Sequence, residues 1–200
     1  VLRFQNDSRV NVCTLAQTRR GRDLPLLRLG NARAERHILL SCRHHACEAP
    51  ASYELEGLCT YLLSTRSPLL QSHQLHVVPF ADLDGVEEGD QGKLRYPYDH
   101  NRAYREDTRY PEIAALMRYR DELPIEVYLD LHAPFAWGGR HDHSHFVLQG
   151  EPWDAASRRI SELLAEETRK ARCGIVHDPR WDLAFGEEWN TGEFSHLSST

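Results

Sequence analysis

The sequence has 200 residues and a mass of 23.1 kDa, a length that suits one domain. Apolar residues make up 40% and charged residues 27%, which favours a packed core over wholesale disorder. The net charge of −6 argues against nucleic acid or a membrane surface as the main partner, and no apolar run approaches the roughly 20 residues of a membrane span.

The first part of the chain predicts a strand pair, a buried strand, a helix and a second buried strand. The strand pair covers 10–14 and 24–29, with a glycine-containing turn between its strands. The run HILLSC at 37–42 is typical of a strand covered on both faces. A helix follows over 52–63, just after Pro50, and the second buried strand covers 75–80.

The second part begins with a polar segment, 82–109, that lacks periodicity and is predicted to be a long functional loop. The remaining predicted elements are a helix over 110–123, strands over 125–131, 146–148 and 174–177, and a helix over 153–172. Alternating strands and helices predict an α/β fold. We expect a mixed, largely parallel central sheet flanked by helices, in a single domain over residues 1–200.

The cysteines indicate the compartment. Five cysteines, odd in number and irregularly spaced, argue against a disulfide framework (Cys13, Cys42, Cys47, Cys59 and Cys173). The sequence also shows no basic start followed by an apolar stretch, as a signal peptide would have. We therefore expect a reducing, cytoplasmic location.

Three polar clusters follow the carboxyl ends of predicted strands: 43–48, 99–102 and 130–132. Ligands of open α/β sheets bind at that edge, so the clusters are expected to meet in one crevice. There, His45 and Glu48 could hold one ion from the same side, and His132 would complete a set of two histidines and one glutamate. Such a set leaves a fourth position for water, as in catalytic zinc sites. The His-x-x-Glu spacing alone arises often by chance, so the prediction depends on this convergence.

The same clusters carry a family resemblance. Residues 42–53, CRHHACEAPASY, are similar to the Ala-Arg-x-His-Pro-Gly-Glu-x-x-Ser-[Tyr/Trp] segment of the M14 zinc carboxypeptidases, and of the cytosolic carboxypeptidase branch in particular. The family's Asn-Pro-Asp-Gly-Val, Asp-x-Asn-Arg and Asp-Leu-His motifs are matched at 82–86, 99–102 and 130–132. The order agrees over most of 10–150, although Ala46-Cys47 replaces Pro-Gly and Leu83 stands where proline is usual.

The resemblance implies an activity and its residues. One Zn²⁺ would be bound by His45, Glu48 and His132. Asn101 and Arg102 would hold the free carboxylate of a peptide or protein C-terminus, and Asp99 would accept a hydrogen bond from a ligand histidine. The implied reaction removes C-terminal amino acids with metal-activated water. Many members add an arginine that stabilises the oxyanion; its position falls near Gly92, so Lys93 and Arg95 are the candidates for that role.

The general base is the family feature that the sequence does not match. In the family this glutamate lies on a late strand, several dozen residues after the second ligand histidine. Only 68 residues follow His132, and Glu187, Glu188 and Glu193 lack a strand context. We therefore expect a catalytic domain truncated at both ends, with the base beyond Thr200 and Glu193 as a weak candidate.

Two other functions remain open at this point. An amidohydrolase of the succinylglutamate desuccinylase or aspartoacylase type shares the His-x-x-Glu pair and the second histidine. A binding module that keeps the zinc or the carboxylate pocket without the base is the other alternative.

Overall fold

The fold is described from a computed structural model, which covers residues 1, 3–93, 95–133, 138–172 and 174–191. The chain divides into two compact units, Val1–Ala133 and Pro134–Thr200. The first unit contains the sheet and all three polar clusters. No helix in the described ranges is long and apolar enough to cross a membrane.

The first unit is built on a mixed sheet. Within the described residues its five strands are β1 (Val10–Gln17), β2 (Asp23–Gly30), β3 (Arg36–Cys42), β4 (His73–Val78) and β5 (Ile125–Leu131). Their order is β1-β2-β4-β3-β5; β2 is antiparallel to β1 and β4, whereas β3 is parallel to β4 and β5. The predicted α/β fold with a mixed sheet is confirmed.

The helices cover the ranges α1 (Ala49–Ser64), α2 (Leu69–Ser72), α3 (Leu83–Glu88), α4 (Pro111–Asp121) and α5 (Asp154–Ala171). Helix α1 begins with a proline in its first turn, where the missing N–H costs nothing. Its buried face, which includes Leu55, Cys59 and Leu62, packs in one core cluster with Leu40 of β3 and Leu75 of β4. This packing fixes the start of α1, and with it the turn that follows β3.

The segment 82–109, predicted to be a loop, contains regular structure. It includes α3 and a 3₁₀ helix at His100–Arg102. The carboxylate of Asp82 accepts a hydrogen bond from the backbone N–H of Gly85 and so caps the start of α3. The helix ends at Glu88 and is followed by Gly89, whose φ of 70° terminates it. A helix of six residues is too short to show an apolar period, so the prediction failed here.

In its described residues, the second unit contains α5 and two 3₁₀ helices, Gly139–Asp142 and Pro179–Trp181. The strand predicted at 146–148 is a single bridge between Val147 and Leu183. The strand predicted at 174–177 is wrong, because 174–177 has no regular structure and its apolar side chains, Ile175 and Val176, are exposed. An apolar run indicates a strand only when neighbouring elements cover it.

Candidate metal centre

The structure brings the three predicted ligands together. His45 and Glu48 lie in the tight turn after β3, where the Glu48 N–H donates to the His45 carbonyl. His132 directly follows β5, and the parallel pairing of Cys42 with Leu131 sets the two strand ends side by side. The Nδ1 atoms of His45 and His132 are 3.0 and 2.9 Å from the two Glu48 carboxylate oxygens. One donor atom from each residue fits within 4.8 Å of the other two.

Each histidine turns its other nitrogen toward a second carboxylate. His45 Nε2 lies 3.6 Å from Asp99 Oδ2, and His132 Nε2 donates to Asp130 Oδ2 at 2.6 Å. Metal-binding histidines almost always pair their second nitrogen in this way, which fixes the ring and raises its basicity. Two imidazole nitrogens and one carboxylate are the protein donors of an open zinc site, in which water takes the fourth position. The residues present therefore fit zinc.

Positive charge surrounds the buried carboxylate of Glu48. Burial alone would raise the pKa of Glu48, but hydrogen bonds from His132, His45 and Lys93 hold it well below its usual range. Burial opposes the charging of His132, yet Asp130 and Glu48 raise its pKa to about 10. Asp99 and Glu48 likewise raise the pKa of His45 against the effect of burial. A metal ion bound by these residues would have to displace the protons of the two histidine nitrogens that face Glu48.

The turn that carries His45 and Glu48 is fixed by the segment that follows β4. The Ala81 and Asp82 N–H groups donate to the carbonyls of residues 42 and 43, and the Cys47 N–H donates to Gln91. Gly92 has φ +84°, and a Cβ on it would lie 2.6 Å from the backbone nitrogen of Ala46. The position where the family resemblance places an arginine therefore has no room for a side chain.

The two oxyanion candidates occupy different surroundings. Lys93 Nζ lies 2.8 Å from Glu48 Oε1, so its ammonium group is in direct contact with one of the three predicted ligands. Arg95 instead forms ion pairs with Asp82 at 2.8 Å and with Asp90 at 2.7 Å. Of the two, Lys93 is the one in contact with a predicted ligand.

Asp99 links the metal cluster to the predicted substrate residues. It caps the 3₁₀ helix by accepting a hydrogen bond from the Arg102 N–H, and its other oxygen lies 3.6 Å from Arg102 Nη1. The Arg102 side chain is 42% exposed, enough to reach a bound molecule. The amide oxygen of Asn101 is buried and accepts no hydrogen bond from the described residues.

Two residues beside the ligands were given no role by the sequence reasoning. Asp130 pairs with His132, and His44 places its Nδ1 2.8 Å from the same carboxylate. Asp130 could have been found, since residues two apart on a strand point to the same side. For His44 the sequence offers no comparable signal, because its partners come from other elements.

The remaining predicted candidates lie in the second unit or outside the described ranges. Glu187 and Glu188 are exposed and lie within 3.9 and 3.5 Å of Arg140. Neither is on a strand. Glu193, the weak candidate for the base, lies outside the described residues.

A comparison with protein-family models identifies the family of this chain. The family described as zinc carboxypeptidase, M14, matches residues 2–109, which is more than half of the chain. The chain belongs to the M14 zinc carboxypeptidase family. The predicted resemblance is thereby confirmed, while the narrower likeness to the cytosolic branch stays a prediction. No curated protein matches the sequence.

Solved metallo-carboxypeptidases and an aspartoacylase family protein share the fold. A metallo-carboxypeptidase from Burkholderia cenocepacia is 19% identical with a TM-score of 0.72, over 93% of this chain and 51% of that one. A metallo-carboxypeptidase from Pseudomonas aeruginosa is 22% identical with a TM-score of 0.67, over 82% and 46%. An aspartoacylase family protein from Mesorhizobium loti is 15% identical with a TM-score of 0.53, over 79% and 50%. The chain spans about half the length of these proteins.

Proposed function

We propose that this chain is part of a zinc-dependent metallocarboxypeptidase, which removes amino acids from the C-termini of peptides or protein tails. The observation that carries the proposal is the ligand geometry: His45 and His132 direct Nδ1 atoms at the two oxygens of Glu48. Membership in the M14 family supports the choice of zinc. We propose one ion per chain, held by these three residues.

We assign substrate binding to Asn101 and Arg102. A guanidinium presents a planar pair of donors to a carboxylate and keeps its charge at every working pH. The unpartnered amide oxygen of Asn101 would accept the N–H of the substrate's terminal residue. Asp99 positions His45 and Arg102 at once, because one of its oxygens lies 3.6 Å from each side chain.

The chemistry follows from these placements. When bound, zinc polarises the scissile carbonyl and acidifies its water ligand. Lys93, beside Glu48, supplies the positive charge for the developing oxyanion. Glu187 and Glu188 are assigned no part in proton transfer, since both are exposed and lie on no strand.

The fold also supports an amidohydrolase of the aspartoacylase type as a second candidate, since one solved neighbour belongs to that family. The Asp-x-Asn-Arg cluster on its 3₁₀ helix and the family match favour the carboxypeptidase. A cytoplasmic location is part of the proposal; among the described residues Cys13, Cys42, Cys47 and Cys59 are free thiols.

Metal analysis and substrate choice test the proposal. We expect one zinc per wild-type chain and none in His132→Ala. His73→Ala, which removes a histidine at the opposite end of the sheet, should keep the metal. Peptides with a free C-terminus should be cleaved and amidated peptides should not. Stoichiometric zinc in His132→Ala would refute the ligand assignment, and preferred hydrolysis of N-acylated amino acids would favour the amidohydrolase.

A further inference from the structure

A closed ring of polar side chains lies next to the ligand His132. His44 Nδ1 lies 2.8 Å from Asp130 Oδ1, and His44 Nε2 lies 2.7 Å from the Tyr104 hydroxyl. The Tyr128 hydroxyl is 3.0 Å from both Tyr104 and Ser41, and Ser41 donates to Asp130 Oδ1 at 2.6 Å. The ring therefore begins and ends on one oxygen of Asp130, while the other oxygen accepts the His132 hydrogen bond.

Four members of the ring, all but the half-buried Tyr128, are shielded from water. Ser41 and His44 are fully buried, Tyr104 is nearly so, and only 6% of the Asp130 side chain is exposed. A buried polar group that loses its partner costs far more than the bond is worth net. The carboxylate of Asp130 is thus held in one orientation.

His44 has two distinguishable contacts within the ring. In a neutral His44 that carries its proton on Nδ1, the N–H group lies beside Asp130 Oδ1 at an N···O distance of 2.8 Å but out of line for a hydrogen bond, and Nε2 accepts a hydrogen bond from the Tyr104 hydroxyl. Ser41 and His44 then approach Asp130 Oδ1 together. The carboxylate is held with Oδ2 toward His132, and His132 is held with Nδ1 toward Glu48.

We propose that His44 is a positioning residue for the metal centre, acting on His132 through Asp130. The inference rests on the proposed function, because it gives His44 a part in shaping the zinc site. It assigns the effect to the contact of His44 Nδ1 with Asp130 Oδ1 and not to the bulk of the imidazole.

Two substitutions of similar size separate these contacts. Asparagine places its amide nitrogen where histidine has Nδ1, whereas glutamine places its amide nitrogen where histidine has Nε2. His44→Asn should therefore keep an N–H group beside Asp130 Oδ1, and His44→Gln should lose it. The measurement is the dissociation constant of Zn²⁺, by competition with a chromophoric chelator, together with the absorption spectrum of the Co²⁺ form.

We expect His44→Asn to bind Zn²⁺ within about 3-fold of the wild type and His44→Gln to bind it about 10-fold more weakly. This is the lower end of the effect of losing a direct partner of a metal ligand, because His44 acts through Asp130. The Co²⁺ spectrum should change in His44→Gln only. Equal Zn²⁺ affinities of the two variants, with a wild type that binds zinc, would overturn the positioning role alone. A wild type without zinc affinity would instead overturn the proposed function.

Tyr104→Phe covers the case in which His44→Gln fails to fold. This substitution removes the hydroxyl group that donates a hydrogen bond to His44 Nε2, and it leaves the aromatic ring of residue 104 in place. We expect a few-fold weaker Zn²⁺ affinity and a metal-free protein that still unfolds cooperatively. An unchanged affinity in Tyr104→Phe would contradict the role of the ring.

Discussion

Replacing Lys93 by methionine should strengthen metal binding while weakening catalysis. The Lys93 ammonium lies 2.8 Å from Glu48 Oε1, a carboxylate that is almost fully buried. In the metal-free protein this cation occupies a position next to the proposed ion. Zinc must therefore bind beside a fixed positive charge and compete with it for the same oxygen.

The size of the effect follows from the contact. A hydrogen bond to a charged group contributes about 1.5–3 kcal/mol. Because the Lys93 side chain is 22% exposed, water screens part of this interaction, and about 1–2 kcal/mol remains. Since a tenfold change corresponds to about 1.4 kcal/mol, Lys93→Met should bind Zn²⁺ about 5–30-fold more tightly. Loss of a group that stabilises an oxyanion should lower kcat by about 10²–10³-fold.

The assay is Zn²⁺ competition with a chelator, followed by peptide hydrolysis at saturating zinc. Arg105→Met is the matched control, because it removes one positive charge that pairs with Asp107 on the surface. Its Zn²⁺ affinity should stay within about 2-fold of the wild type. A weaker Zn²⁺ affinity in Lys93→Met would refute the reasoning, since it would mean that Lys93 holds Glu48 in place and does not compete with the metal.

Three further outcomes are expected. Zn²⁺ affinity should fall as the pH is lowered from 9 to 6. The pKa of His132 is raised to about 10, and this histidine must lose a proton to bind the metal. Zn²⁺ titrations that show the same affinity across this pH range would contradict the expectation. Gly92→Ala should lower the melting temperature and weaken zinc binding, because its Cβ would lie 2.6 Å from the backbone nitrogen of Ala46. Gly89 also has a positive φ but has open space around it, so Gly89→Ala should lower the melting temperature less in thermal unfolding. Arg102→Ala should lower kcat/KM on peptides with free C-termini by the equivalent of about 2–4 kcal/mol, and steady-state kinetics showing no loss would remove Arg102 from the substrate site.

The sequence predicted where the site lies because the strands that carry it are long and apolar. The runs that became β3 and β5 have a clear pattern, and polar residues directly follow each of them. The parallel edge of a sheet then places His45, Glu48 and His132 together without further information. The convergence of these three residues was predictable for this reason, while their role as metal ligands stays a prediction.

The contacts that hold Asp130 beside His132 could not be predicted from the sequence in this way. The ring around Asp130 depends on the register that sets Ser41 beside Asp130, and on a tyrosine that follows the 3₁₀ helix. Register and tertiary contacts leave no local pattern. Helix α3 was missed because its stability comes from the Asp82 cap and not from an apolar period.

Hydrogen bonds join the turn that carries His45 and Glu48 to the segment after β4. The proposed metal binding would therefore be coupled to the local opening of that segment. The backbone at 42, 43 and 47 is tied to the backbone at 81, 82 and 91. Local opening of residues 81–92 therefore requires the turn with His45 and Glu48 to come apart, and bound zinc opposes that opening by mass action. At a zinc concentration 100 times the dissociation constant, opening costs about 2.7 kcal/mol more. Free zinc would thus set how fast amide hydrogens in this segment exchange and how readily a protease cuts it.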